Sequence, residues 1–357
     1  MTMAFAAHAS TEPDPGARGH AFGVAMAVPV AGTVRTYRRL FAAISGLGVA
    51  DVRQLGEQVG ASLTAWPELV EEIAGIAAGA GQDERELLAI NARTELLGAA
   101  SRPECSFVGL LPRATAAGTT VMAQNWDWHP DLAESVVVWS IRTPDGHALT
   151  TMTEAGILAK IGLNDRGLGC CLNMLGAEGD GGVGGVPIHL LLRLVLERCA
   201  TVEEALSLLL GARVTASSAI SVGSDGHEPA LVTVELSPAG GRCLWPDAGG
   251  VLTHTNHFLH PELQARDSAV REWPETIERH RAVCAHLATD AGPLALADLE
   301  ALLRSHVNAP DAICRHELAD VPYEDRDETL ASVVLMLGER RMRIACGLPC
   351  MHPHRDV

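Results

Sequence analysis

Lysine is almost missing from this chain. Of 27 basic residues in 357, one is a lysine, Lys160, so arginine carries nearly all the positive charge and Lys160 stands out. Positive charge is itself in deficit: 44 acids leave a formal net charge of −17, which excludes a track of clustered cations for nucleic-acid phosphates. Long hydrophobic runs are lacking too. Ile188 to Leu196 is apolar but contains Arg193 and is far shorter than the ~20 residues a spanning helix needs, so no membrane partner is expected. The first twenty residues hold acids and prolines with no basic n-region, and Ala21 to Val34 is broken by Gly23, Pro29 and Gly32, which predicts no signal peptide. Gly176 to Gly185 has acids and no lysine, so it does not resemble a phosphate-binding P-loop, and a flexible loop at a pocket rim is expected. Internal repeats and low-complexity segments are absent.

What is present is ample apolar content, 47%, enough for one large or two modest globular domains. The nine cysteines are odd in number and scattered in a chain too long to need disulfide staples, which fits a reducing cytoplasm. From about Thr33 to Ala99 the apolar residues recur with helical spacing, and Asp83 before Glu84 and Glu86 predicts a helix start. After Ser101-Arg102-Pro103 the texture changes to short β-rich runs: Ser106 to Leu111, Thr119 to Trp126, Ser135 to Arg142, Ala148 to Thr153, Ile157 to Leu163 and Leu168 to Leu175. Helices follow over Val186 to Cys199 and Val202 to Gly211, the second opening on a capping box of Thr201 and Glu204. Strands return at Ser217 to Val222, Leu231 to Leu236 and Gly241 to Trp245. Helices are expected near Ser268 to Ala288 and Leu294 to Ser305, then strands at Leu330 to Leu337 and Arg341 to Ala345. This order predicts an α+β fold, a sheet sandwich flanked by helices, with a helical N-terminal segment.

Cys105 stands where the helical segment gives way to the first strand, just after a proline that disfavours helix continuation. If the chain is cut between Glu104 and Cys105, one residue supplies both a thiol nucleophile and the α-amino base that activates it. Cys170, Cys171, Cys199, Cys243, Cys284 and Cys346 lie in apolar runs and are expected to be inert filling. Asn125-Trp126-Asp127 is expected to end a strand, as is Thr253-His254-Thr255-Asn256-His257, where an asparagine amide can face a developing oxyanion. Arg315 offers a fixed planar cation for a substrate carboxylate, or a brace for Asp127, or an ordinary surface charge. His254, His257 and His260 invite a metal reading, but their spacing and β-like context do not match a zinc site, and neither Cys346 with Cys350 nor Cys170 with Cys171 has a second pair at ribbon spacing. No metal is expected.

These residues together resemble the acyl-coenzyme A:6-aminopenicillanate acyltransferase (isopenicillin N acyltransferase) family of N-terminal-nucleophile hydrolases. The resemblance runs in order through Glu71-Glu72-Ile73, Asn91-Ala92-Arg93-Thr94-Glu95, Cys105, Gln124-Asn125-Trp126-Asp127, Thr153-Glu154-Ala155-Gly156-Ile157, Lys160 with Gly162 and Asn164, Gly185-Val186-Pro187, His254-Thr255-Asn256-His257 and Ile313-Cys314-Arg315. It implies a four-layer αββα sandwich, made as a precursor and cut before Cys105 into an α chain (1–104) and a β chain (105–357) that together form one domain. It further implies Cys105 as nucleophile, Asp127 as the acid of the Asn-Trp-Asp motif, Asn256 as the oxyanion-side asparagine and Arg315 as the site arginine, with Asn125, Trp126 and Lys160 expected near substrate. Glu104 stands where the penicillin enzyme has glycine, and the chain ends in His354-Arg355-Asp356-Val357 without the fungal enzyme's peroxisomal ending, so a cytoplasmic location is expected and penicillin substrates are not implied.

The expected reaction is transfer or hydrolysis of acyl groups of small amides or thioesters. Its partners are a small acyl donor, acyl-coenzyme A among them, and an amine or water as acceptor, with no cofactor and with homo-oligomerisation left open. A peptidase-like amidase, an inactive binding protein of the same fold and a zinc hydrolase are the alternatives.

Overall fold

The structure, a computed structural model, describes residues 4–98, 105–143, 145–288 and 292–357. Its helices are α1 (Pro15–Ala25), α2 (Ala27–Ser45), α3 (Val49–Ser62), α4 (Pro67–Ala80), α5 (Glu84–Asn91), α6 (Arg93–Leu97), α7 (Ile188–Arg198), α8 (Val202–Gly211), α9 (Pro261–Gln264), α10 (Ala269–Glu272), α11 (Glu275–Ala288) and α12 (Leu296–Leu303). The strands are β1 (Ala6–Ser10), β2 (Ser106–Leu110), β3 (Val121–Trp128), β4 (Val136–Arg142), β5 (Ala148–Glu154), β6 (Ile161–Asn164) and β7 (Leu168–Met174). They continue with β8 (Ser218–Ser224), β9 (Ala230–Leu236), β10 (Arg242–Leu244), β11 (Val251–His254), β12 (Glu328–Met336), β13 (Arg341–Cys346) and β14 (Arg355–Asp356).

Period-two alternation on β2, β3 and β12 puts apolar residues on both faces, and a strand apolar on both faces must be covered on both. Phe107, Met122, Trp126, Val333 and Leu335 join the main core with Val222 and Leu231 of the other sheet. Val108, Leu110, Val121, Ala123, Val334 and Met336 pack the other way, on Val283 of α11 and on Leu299, Leu302 and Leu303 of α12. One sheet runs β1-β4-β5-β6-β7-β8-β9-β10 and the other β11-β2-β3-β12-β13-β14. Where they meet, a Cβ added at Gly109 would lie 2.7 Å from Leu231 and one at Gly169 2.7 Å from Leu337, so these positions have no room for a side chain. On the far face of the larger sheet, Leu196 of α7 reaches within 2.9 Å of a Cβ placed on Gly162. The layers are therefore helix, sheet, sheet, helix, the αββα sandwich expected.

The N-terminal segment starts earlier than its periodicity announces. β1 joins the edge of the larger sheet parallel to β4, with Ala6 opposite Val137, and α1 occupies part of the stretch that Gly23 was expected to break. The reason is a helix crossing. A Cβ on Gly19 would lie 2.1 Å from the Glu72 carbonyl oxygen, and one on Gly23 2.4 Å from that of Ile76, so α1 and α4 meet backbone to backbone. Arg18 and Arg193 both bond the buried Glu72 carboxylate beside this crossing, at 2.8 and 2.9 Å. Asp83 caps α5 through the Arg85 N–H, and the Thr201–Glu204 capping box forms as expected. The helix expected over Ser268 to Ala288 is instead two, α10 and α11, parted at Trp273-Pro274 because proline has no N–H to continue the ladder. Among the described residues no helix is long and apolar enough to cross a membrane.

Candidate active site

Strand register builds the site. β2 lies between β3 and β11, with Ser106 opposite Asn125 and Phe107 opposite His254. Continuing both ladders past the head of β2 brings Trp126 and Asp127 to one side of Cys105 and Asn256 to the other. The Cys105 N–H donates to Asn256 Oδ1 at 2.7 Å. Asn256 is itself fixed: its Nδ2 donates to the Met174 carbonyl at 2.9 Å and its N–H to Thr276 Oγ1 at 2.9 Å. Below it, Glu235 accepts from the Leu259 N–H and shares a hydrogen bond with His254, pinning the loop that carries Asn256. The Cys105 carbonyl accepts from Asn173 Nδ2 at 3.1 Å and from Arg279 Nη1 at 2.9 Å, and Arg279 also reaches Asn256 Oδ1 at 3.2 Å.

The Cys105 thiol is buried, and burial first, then the Asp127 charge, push it up to about 12; the Asp127 N–H, Lys160 and Arg279 pull the other way. Asp127 is buried in β3, which runs on to Trp128 instead of ending at Trp126 as expected. Its Oδ1 accepts from Thr329 Oγ1 at 2.6 Å, and Thr329 Oγ1 accepts the Arg315 N–H at 2.9 Å. The β3–β12 register shifts between Thr329 and Ala331, an irregularity that falls beside Asp127.

Over the thiol lies a cavity of about 10 Å³, roughly the room of one water, lined by Trp126, Asp127, Trp128, Arg93, Lys160 and Met174 among others. Lys160 Nζ is 2.6 Å from Glu154 Oε2 and sits over the Trp126 ring at 4.0 Å from its centroid. Burial and the Arg93 charge bring Lys160 down to about 7, against the pull of Glu154. Glu154 is squeezed upward by burial, yet Lys160 and Arg93 hold it below the ordinary carboxylate range. Tyr37 of α2 donates to its other oxygen at 2.6 Å, and Trp128 Nε1 donates to the Tyr37 oxygen at 3.0 Å. A helix of the N-terminal segment thus completes a site on the two sheets.

The family model described as acyl-coenzyme A:6-aminopenicillanic acid acyl-transferase matches residues 114–350, beginning after Cys105. The acyl-coenzyme A:6-aminopenicillanic-acid-acyltransferase 40 kDa form of Emericella nidulans is 30% identical over 290 residues, 80% of this chain and 76% of that protein. The chain belongs to this acyltransferase family. Protein dcd1A of Dictyostelium discoideum is 28% identical over 167 residues, 43% of this chain and 37% of its own. Among solved structures, the Caenorhabditis elegans N-acylethanolamine-hydrolyzing acid amidase orthologue has 17% identity and a TM-score of 0.46, covering 66% of this chain and 93% of that one. Penicillin V acylase from Agrobacterium tumefaciens has 16% identity and a TM-score of 0.45 over 68% and 82% of the two chains.

Within this family member, Cys105, Asp127, Asn256, Trp126 and Lys160 come together, and two expected site residues point elsewhere. Asn125 turns its amide to the outer layer, where Nδ2 donates to the Leu303 and Ile313 carbonyls at 2.9 and 2.8 Å, because neighbours on a strand face opposite ways. Arg315 is fully buried with its guanidinium 3.0 Å from Asp311 and 2.5 Å from Asp327, so its charge meets the protein's own carboxylates. Glu104 lies outside the described residues. Cys284, expected as filling, is exposed on α11. His254, His257 and His260 take separate partners: Glu235, the Thr255 and Thr276 hydroxyls, and the first turn of α9. Arg93, Glu154, Tyr37, Asn173, Arg279 and Thr329 were missed as site residues. Arg93 and Glu154 lie in the matched motifs, but Arg279 is one charge among Glu275, Glu278 and Arg281 on an ordinary-looking helix.

Proposed function

We propose that this protein is a self-processing enzyme that transfers or hydrolyses acyl groups of small amides or thioesters through a Cys105 thioester. The observation that carries the reading is the placement of Cys105 at the head of a central strand, its nitrogen 2.7 Å from Asn256 Oδ1 and its thiol beside the Asp127 N–H. In processing, Sγ attacks the Glu104 carbonyl carbon, the peptide C–N bond breaks and the thiol proton passes to the nitrogen. Water then opens the thioester, leaving a Glu104 carboxylate and a free Cys105 amine. That amine, with an ordinary pKa of about 7.7–8.0, takes the thiol proton in turnover, which the raised thiol cannot lose unaided near neutral pH.

Asn256 Oδ1 would hold the amine with its lone pair toward sulfur. The second Nδ2 hydrogen of Asn256, the one not given to Met174, would then meet the oxyanion as the thiolate adds to the substrate carbonyl. Collapse returns the proton from the ammonium to the leaving amine or thiol, and water or an amine collects the acyl group. An acyl chain needs far more room than about 10 Å³, so turnover requires the cavity to open. Lys160 and Arg93, which flank Glu154, would offer N–H donors on the wall of that opened pocket to a polar acyl donor, acyl-coenzyme A included.

Intact mass of the purified protein tests this. Wild type should yield two chains split between Glu104 and Cys105 and, with an acyl donor, an acyl adduct on the chain that begins at Cys105. Cys105→Ala should stay whole. A wild-type protein that remains uncut while turning over an acyl substrate overturns the double role of Cys105.

A further inference from the structure

Away from Cys105, four side chains of the metal-binding kind meet at one point: His306, Cys314, His316 and Cys350, whose ligand atoms all lie within 4.8 Å of one another. We infer that they form a tetrahedral site for one zinc-class divalent ion, a structural clip that goes beyond the acyl chemistry. The distances support it. Bonds of about 2.3 Å to sulfur and 2.0–2.1 Å to nitrogen give a tetrahedron with edges of about 3.3–3.8 Å. Here His306 Nε2 is 3.1 Å from His316 Nε2, Cys350 Sγ 3.3 Å from it and Cys314 Sγ 4.0 Å from it. The two rings are not stacked; they stand at 65° with centroids 5.0 Å apart, which lets both nitrogens aim at a shared centre.

The donor set favours one class of ion. Two thiolates and two imidazoles with four positions filled and none left for water are the make-up of a structural zinc site, while hard ions such as magnesium and calcium prefer oxygen ligands. The ligands also come from two separate places: His306, Cys314 and His316 lie in the connection from α12 to β12, and Cys350 follows β13. An ion bound there would fold the α12–β12 connection on itself and tie it to the segment after β13, to which no disulfide joins it. Cys314 and His316 bracket Arg315, so the clip fixes the residue whose N–H holds Thr329 against Asp127. It would act on the catalytic side only through that backbone.

Metal content measures this without any reference to turnover. Protein made with zinc in the medium, kept reduced and dialysed against a weak chelator, should carry about one zinc per chain, and so should Cys105→Ala, in which the proposed acyl chemistry is gone. Cys350→Ser and His316→Ala should fall below about 0.1 per chain, while Cys243→Ser keeps its ion. Cobalt(II) exchanged into the wild type should give the strong visible bands of a tetrahedral thiolate complex. The inference is overturned by wild-type protein that binds neither ion, by Cys350→Ser retaining zinc, by an iron–sulfur chromophore, or by a mass showing Cys314 bonded to Cys350 in protein never exposed to oxidant. The wild-type measurements need no variant, so a substitution that fails to fold does not shield the idea.

Discussion

Cys105 is held as a neutral thiol by two separable causes, burial and the Asp127 carboxylate. Asp127→Asn removes the second while keeping the shape. A neighbouring negative charge raises an acid's pKa, so its loss should let the thiol ionise at lower pH. Alkylation of Cys105 by a small reagent at a fixed pH near 8 should therefore speed up, while turnover drops by about 10²-fold because the amine and thiol lose their organising acid. Rates that fall together would show that Asp127 does not act on the thiol. Arg315 calls for the opposite expectation from a substrate clamp. With its guanidinium on Asp311 and Asp327, Arg315→Lys should lower kcat/KM for an acid substrate and its methyl ester by the same factor. A loss confined to the acid would restore the carboxylate-binding role.

At the scale of elements, the α1–α4 crossing is a close backbone-to-backbone joint outside the sheets. Gly23→Val would drive a Cβ toward the Ile76 carbonyl, 2.4 Å away, and should cost about 1–3 kcal/mol or more, read as a drop in denaturation midpoint with the denaturant slope unchanged. The same joint explains what periodicity hides. Strands of the sandwich and the helices with capping residues, such as Asp83 and Thr201, are legible because each signal lies within a few residues of the element it marks. α1 is not, since its glycines are needed by a helix some fifty residues on and look like breakers when taken alone. β1 is five residues at a sheet edge, and nothing local says which strand it joins. The site divides in the same way. Cys105, Asp127 and Asn256 lie at strand ends or in distinctive short motifs, whereas Arg279 reaches Cys105 across 174 positions from a helix crowded with charges. Cys350 and His316 are 34 apart, a spacing that matches no local zinc pattern.

At the scale of the whole molecule, the proposed cut would fall in a chain whose two parts share one interior. Residues of α1 to α6 sit in the same core cluster as those of both sheets, β1 is bonded to β4, and Tyr37 holds Glu154 in the site itself. Separation of the two chains would expose that core, so they should leave a sizing column together after processing. Processing would then change the order of the unfolding reaction. An uncut chain unfolds as one molecule into one, but the cut protein would unfold into two, and its Tm should rise with protein concentration while that of Cys105→Ala does not. Refolding from denaturant would have to wait for a bimolecular encounter, so the mature form would owe its persistence to slow opening more than to ready recovery. Were the proposed cut made, the parallel ladder of β1 with β4 would become a contact between two chains, so the precursor would be the form assembled from one molecule and the mature form one that has to be reassembled from two.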